Sequence, residues 1–398
     1  VTDNPAPGNP ASGIDTAVNA PVDSTQPHGR LSPLDDVHRA GGASFTDFAG
    51  WQMPVRYSSE LEEHHAVRTA AGLFDLSHMA EILVKGPGAG AALDYALCGV
   101  FSTLAVGQAR YSLLLTTDGG IIDDVIVYRT HEHRFGVVAN AGNRAQAAGA
   151  LSVRTAGFDA TVVDESDALA LIAVQGPMSQ AIMAKLPDLH LPTPVADLRY
   201  YWSTTGAWRG EEIMVARTGY TGEDGFELYI LAEHGASLWS ALLAAGEEFG
   251  LVPAGLACRD TLRLEAGMPL YGHELSLDTL PQQVGLGRIV KLAQKGEFVG
   301  RGAVAHGPSS DAPVLVGLTS DGRRAGRAGY PVLAAEGGEP VGVVTSGALS
   351  PTLGFPIALA LVSPSRAEPG TELVIDVRGK PMPAVVTSLP FYKRPTTD

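Results

Sequence analysis

Short runs of apolar and β-branched residues, separated by brief glycine-bearing turns, set the strongest limit on how this chain folds. The clearest case is Asp118-Gly119-Gly120, which lies between the runs 111–116 and 121–128. An Asp-Gly turn between two such runs closes an antiparallel hairpin, because glycine accepts the positive φ that a tight turn needs. A parallel partner would need a crossover of roughly a dozen residues or more. Further runs at 81–84, 135–139, 169–175, 213–217 and 226–230 alternate with Ala-rich helical stretches near 91–97, 144–148 and 236–245. This pattern predicts an α+β protein built mainly on antiparallel sheets with helices. Ser59 and Glu62 stand at capping-box spacing and predict a helix that runs to Ala71 and is stopped by Gly72.

At 398 residues the chain is too long for one small core, so several domains are expected. Residues 1–30 are rich in Pro, Gly, Ala, Ser and Asp without any apolar period, which predicts a disordered tail. The body is expected over 31–303. The polar stretch 306–312 reads as a linker. Short strands at 314–318, 341–345, 358–361, 372–377 and 384–388 then predict a small C-terminal β-barrel domain over 313–392.

Charge narrows the function classes. With 28 Lys+Arg against 43 Asp+Glu, the formal charge is -15. A protein that lives on phosphate contacts is normally basic, so nucleic acid is not an expected partner. Attachment to an anionic membrane surface is disfavoured for the same reason, and no apolar run is long enough to span a bilayer. Cys98 and Cys258 are lone thiols outside any Cys-x-x-Cys pair, which fits a reduced, cytoplasmic protein. No basic segment followed by an apolar one marks a secretory signal.

Several clusters bear on chemistry. In the strand after the Asp-Gly turn, Ile121, Asp123, Val125 and Val127 share one face, and Ile122, Asp124, Ile126 and Tyr128 share the other. Each face carries one carboxylate in an apolar row, which is costly unless it has a partner or a task. The plainer reading places both carboxylates at the exposed strand end. In the segment 217–229, Glu227 can offer two acceptor oxygens to a ligand with adjacent N–H donors. The alternatives there are an acidic hairpin loop or a calcium loop, although EF-hand spacing is absent. Arg259 has Gly255 one helical turn before it and Arg263 one turn after, so it lacks an intrahelical partner, whereas Arg263 has Asp260. Arginine suits bidentate recognition of carboxylates. His64, His65 and His78 raise a metal question, but adjacent histidines on a helix point about 100° apart, and no metal is expected. Gly86-Pro-Gly-Ala-Gly90 resembles a phosphate loop only loosely.

Read together, these motifs resemble the T-protein family of the glycine cleavage system, the aminomethyltransferases. The likeness runs from Leu31 to about Tyr392. It includes the motifs at 47–54, 63–68, 72–79, 119–124, 175–177, 218–225, 259–272, 298–301 and 345–351. The resemblance implies three domains in a clover-like arrangement around a central folate site, with two intertwined α+β subdomains over 31–303. It implies transfer of a one-carbon unit from aminomethyl-dihydrolipoyl H-protein to tetrahydrofolate, with ammonia and 5,10-methylenetetrahydrofolate as products. By motif matching, Asp123 takes the catalytic position and Glu227 grips the pterin N–H edge. Arg259 takes a folate-binding position, with Tyr111, Asn140 and Tyr220 as lesser folate contacts. The lipoylated H-protein and folate are the implied partners. Some members carry a tyrosine near the C-terminus that touches the folate site, and Phe391 or Tyr392 would fill it here.

Two other readings of the same fold are a folate-dependent demethylase of a small methylated donor and a non-catalytic folate-binding assembly factor. The Gly-Gly-Ile-Ile-Asp-Asp segment favours aminomethyl transfer over the first, and Asp123, a strand carboxylate among apolar neighbours, argues against the second. An anionic folate tail on an acidic protein also implies local positive groups, for which Arg259, Arg263, Arg288, Lys291, Lys295, Arg301, Arg323, Arg324 and Arg327 are the candidates.

Overall fold

The computed structural model of the chain describes residues 29–336 and 338–395. The tail expected over 1–30 lies outside the described residues as far as residue 28. Arg30 and Leu31 belong to the body, since they pair in parallel with Trp51 and Gln52.

The Asp-Gly hairpin forms as its residues dictate, from Ala109–Leu115 and Ile121–His131. Gly119 adopts φ +84° in the turn. A Cβ on Gly120 would stand 1.8 Å from the Leu277 carbonyl oxygen, so the turn abuts that segment only because it has no side chain there. The two strands carry a bulge. Leu115 faces Ile121 while Leu114 faces Asp123, which leaves Ile122 as the extra residue. Arg134–Ala139, Ala80–Lys85 and Thr161–Asp164 complete a five-stranded, wholly antiparallel sheet. One face of the long strand, with Val125 and Val127, packs on Leu93 and Ala96 of helix Ala89–Ala96 and on Ala147 and Leu151 of helix Arg144–Thr155. Those helical spacings of three and four put the apolar residues on one stripe.

A second, seven-stranded sheet runs Leu189–His190, Ser203–Trp208, Glu211–Ala216, Gly225–Leu231, Leu169–Gln175, Ala71–Asp75 and Leu251–Pro253. Only the last of these runs parallel to its neighbour. Helix Ala232–Gly246 covers one face, with Leu238, Trp239 and Leu242 in the same core as Ile172, Leu228 and Ile230. The predicted helix after Ser59 is Glu60–Thr69, and the Ser59 hydroxyl accepts from the Glu62 N–H at 3.2 Å. It ends earlier than expected. Gly72 does not cap it but sits inside a strand, opposite Gln175 on one side and Val252 on the other, and this two-sided pairing overrides the local stop signal.

The C-terminal strands close into a six-stranded barrel. It includes Pro331–Ala334, a strand not among those expected from the sequence. The expected linker begins one residue late, because His306 ends helix Arg301–His306.

Buried ion pairs of the body are met by hydroxyl and N–H groups of the barrel, which joins the two. Glu265 accepts at Oε2 from Arg68 Nη2 and Thr352 Oγ1 at 2.8 and 2.7 Å, and at Oε1 from the Thr352 N–H at 3.0 Å. His64 Nε2 lies 3.2 Å from the same carboxylate. Arg263 reaches Glu274 at 3.2 Å and the Ser346 hydroxyl at 2.8 Å. Among the described residues no helix is long and apolar enough to cross a membrane.

Candidate functional site

A cavity of about 260 Å³ opens between the two large sheets. Tyr111, Asp124, Ile126 and Asn140 line it from the five-stranded sheet and the turn after it, and Leu171 and Glu227 from the seven-stranded sheet. Arg259 comes from helix Leu256–Glu265, and the segment 268–271 closes one wall. Of the six residues expected at the site, five line this cavity: Tyr111, Asn140, Tyr220, Glu227 and Arg259. A second hollow of about 320 Å³, beside Glu81 and Met214, holds none of them.

Asp123 is the sixth, and the structure places it elsewhere. It lies on the core-facing side of its strand, fully buried. Its oxygens accept from the Asn140 N–H at 2.9 Å, from Asn140 Nδ2 at 2.8 Å and from Asn143 Nδ2 at 2.7 Å. The carboxylate that lines the cavity is its neighbour, Asp124. Asp124 accepts from the Tyr111 hydroxyl at 3.0 Å and from Asn140 Nδ2 at 2.8 Å. One Asn140 amide group therefore serves both carboxylates. Burial raises both acids above their ordinary value, and Asp123, with the Asp124 charge beside it, is pushed up to about 7. Acids this close titrate as a pair.

Glu227 sits in a cradle of hydroxyls. Tyr128, Thr218 and Tyr229 donate to its Oε2 at 3.1, 2.5 and 3.3 Å. Its other oxygen, Oε1, receives none of the three. The loop before it, 218–225, is held by the Gln175 side chain, which donates to the Thr218 carbonyl and accepts from the Thr221 hydroxyl, both at 3.0 Å. A Cβ on Gly219 would fall 2.0 Å from Gln175 Oε1, so glycine makes room for this clamp. Arg217 and Asp224 close the base of the loop with bonds of 2.9 and 2.6 Å.

The Arg259 guanidinium stacks 4.8 Å from the Tyr220 ring centroid. Among the described residues no carboxylate stands within ion-pair distance of it, as its helical neighbours predicted. Arg263 pairs with Asp260 at 2.7 Å, also as predicted. Arg259 is the one Arg or Lys among the described residues lining the cavity. Lys295 turns instead to the Leu97 and Gly99 carbonyls, while Arg323, Arg324 and Arg327 are exposed on a barrel loop.

Other expectations fall away from the cavity. Tyr392 stacks 4.1 Å from the Arg68 guanidinium, and Phe391 packs beside Leu315 and Leu389, so neither C-terminal ring lines the site. The Gly86 and Gly88 N–H groups already bond to the His133 and Asp159 carbonyls, which removes the phosphate-loop reading. His64 is engaged by Thr261 and Thr352 at 2.8 Å each. Among the described residues no group of three or more His, Cys, Asp or Glu is arranged to hold a metal ion. Residues that the sequence did not single out for the site include Asp124, the Tyr128–Thr218–Tyr229 cradle and His78. Strand alternation was the available signal for Asp124 and Tyr128, which share a face with Ile126, and for Tyr229, two residues from Glu227; Thr218, outside any strand, had none.

Comparison with known proteins agrees with this architecture. The family model described as the GCVT N-terminal domain matches residues 34–294, and that of the glycine cleavage T-protein C-terminal barrel domain matches 314–393. A relative from Cutibacterium acnes called aminomethyltransferase is 55% identical over 369 residues, covering 92% of this chain and 99% of its own. An aminomethyltransferase from Streptomyces coelicolor is 56% identical, covering 92% of this chain and 98% of its own. The crystal structure of glycine cleavage system aminomethyltransferase T from Bartonella henselae superposes with a TM-score of 0.84 at 37% identity, covering 92% of this chain and 98% of that one. An α+β body, a closed C-terminal barrel and a cavity walled by carboxylates, in the company of these relatives, define a transferase enzyme. The chain belongs to the glycine cleavage T-protein family.

Proposed function

We propose that this chain acts as the aminomethyltransferase of the glycine cleavage system, moving a one-carbon unit from aminomethyl-dihydrolipoyl H-protein to tetrahydrofolate. The observation that carries the reading is that Asp124 and Glu227 stand on facing walls of one cavity, with the unpaired Arg259 stacked on Tyr220. The residues fit a reduced pterin. Glu227 has one oxygen saturated by hydroxyls and one left for the adjacent ring N–H and amino group of the pterin. Arg259 supplies the cation for an anionic or carbonyl group.

In the overall reaction the methylene carbon gains bonds to two folate nitrogens and loses its bonds to the amine and to sulfur. The two protons leaving those nitrogens end on ammonia and on the dihydrolipoyl thiol. Asp124 is the residue placed to take and return a proton, because it alone of the Asp pair reaches the cavity. The role expected for Asp123 thus passes to its neighbour, and Asp123 positions Asn140 beneath it. Tyr111 and Asn140 hold the Asp124 carboxylate in one orientation. Orientation of the two reactants supplies much of the acceleration.

Glu227→Gln tests the pterin grip. It keeps the size of the side chain but puts an N–H₂ where acceptors are needed. Tetrahydrofolate affinity measured by calorimetry is expected to fall by about tenfold to a hundredfold, as for a lost charge-assisted pair. Unchanged affinity would remove Glu227 from the site. Formation of methylenetetrahydrofolate from aminomethylated H-protein tests the function itself; release of formaldehyde from a methylated amine instead would point to the demethylase.

A further inference from the structure

His78 lies in the wall of the cavity and has no part in the chemistry described so far. It is 2% exposed and lines the cavity beside Arg259. The edge of its ring meets Phe48, with centroids 5.2 Å apart. Among the described residues nothing hydrogen-bonds to either ring nitrogen, and Nδ1 is sealed from solvent without a partner. A buried polar side chain left unbonded on the wall of a ligand cavity costs stability unless the ligand completes it.

The surroundings decide which form of the ring is present. Burial and the Arg259 charge both oppose protonation and outweigh the opposite pull of Asp75, bringing the imidazolium pKa down to about 4. The ring is therefore neutral, with one N–H. A sealed, unpartnered acceptor is tolerated better than a sealed, unpartnered N–H. The hydrogen accordingly sits on Nε2, the nitrogen that is not sealed. A neutral imidazole held beside a cation is a poor base but a good donor, since it polarises an acceptor without bringing a proton of its own into the reaction.

We propose that His78 is a ligand-binding residue whose Nε2–H donates to the C4 carbonyl of the bound pterin, next to the Arg259 guanidinium. The inference rests on the folate reading above. The pterin edge presents an amino group, a ring N–H and then the C4 carbonyl, two donors followed by an acceptor. Glu227 matches the donors, and the acceptor beside them needs a donor from the protein. Glu227, Arg259 and His78 line the same cavity, and the Arg259 charge acts on both neighbours.

Two measurements test this. In the first, tetrahydrofolate and its 4-amino-4-deoxy analogue, which replaces the carbonyl by a donor, are titrated into wild type, His78→Leu and His78→Gln. His78→Leu is expected to weaken tetrahydrofolate binding about tenfold. His78→Gln, which keeps an N–H donor, is expected to recover most of that loss. The analogue is expected to bind His78→Leu at least as well as wild type. An equal loss for both ligands, or none for tetrahydrofolate, overturns the assignment. The second measurement needs no folate: ¹⁵N resonances of the His78 ring in the free protein are expected to show a neutral ring with hydrogen on Nε2 at pH 6. Hydrogen on Nδ1 alone overturns the Nε2–H donor, and a protonated ring overturns the neutral donor, whatever the ligand proves to be. If wild type shows the expected tautomer and yet binds no tetrahydrofolate, the folate reading fails, and the C4 assignment with it.

Discussion

Asp124→Asn is expected to lower the rate of methylenetetrahydrofolate formation by about 10²–10⁴-fold while the protein stays folded, the range for loss of a positioned proton-transfer group. The side chain lines the cavity, its two hydrogen bonds come from neutral donors, and the substitution preserves its shape. Asp123→Asn is expected to cost less. It touches the cavity only through Asn140, and its own carboxyl is buried under three N–H donors. Its effect is a shift in the pH profile: a limb near neutrality, set by the coupled pair, moves when the acid held at about 7 is removed. Single-turnover rates of the two variants across pH 5–9 give the comparison. A larger loss in Asp123→Asn than in Asp124→Asn would assign the proton transfer to Asp123 after all.

The second large effect is on stability. Glu265→Ala leaves Arg68 without one of its two carboxylates and takes the acceptor from Ser350 and Thr352. Leaving a buried charge unpaired costs about 3–5 kcal/mol, and Arg68 keeps Glu223, so a loss of about 3 kcal/mol is expected. Urea unfolding of the variant is expected to show this loss, with barrel and body no longer unfolding together. A change under about 1 kcal/mol would show that the pair contributes nothing beyond what water would supply.

The acid limb follows by linkage. His64, Ser350 and Arg68 together hold Glu265 at about 2, below its ordinary 4.5. Its contribution is complete above pH 4.5 and is lost as pH falls toward 2. Asp123 acts in the opposite sense. Raised from 3.8 to about 7, it binds its proton more tightly in the folded state, so stability falls as pH rises through that interval. Thermal melts of the two variants are expected to flatten different limbs of the stability curve: Glu265→Ala the one below pH 4.5, Asp123→Asn the one between 4 and 7.

Much of the architecture was legible because it depends on local pattern. Glycine turns between β-prone runs do specify hairpins, and Leu169–Gln175 is a strand over the predicted residues. The freedom of Arg259 from helical partners was legible too, since it follows from residues four apart on one face. Gly72 shows the limit: its stop signal is real, but strand pairing on both sides costs less than leaving its backbone groups unpaired.

The Asp pair marks where local pattern ends. Alternation puts Asp123 and Asp124 on opposite faces but does not say which face meets the cavity. Without a bulge, pairing from Leu115 and Ile121 would set Tyr111 opposite Val125, on the Asp123 face. The bulge at Ile122 moves Tyr111 opposite Ile126, on the Asp124 face. A one-residue insertion in a ladder depends on what both strands pack against, and here the helices on one side and the second sheet on the other make that choice.

By itself, then, the sequence determined the fold class, the barrel, the hairpins and the types of residue at the site, because turn chemistry and periodicity act over a few residues. Only the tertiary structure decided which carboxylate faces the cavity, which hydroxyls saturate Glu227 and that His78 stands unbonded beside Arg259. Those facts arise from contacts between segments up to about two hundred residues apart, where burial and missing partners, not local pattern, set the free energy.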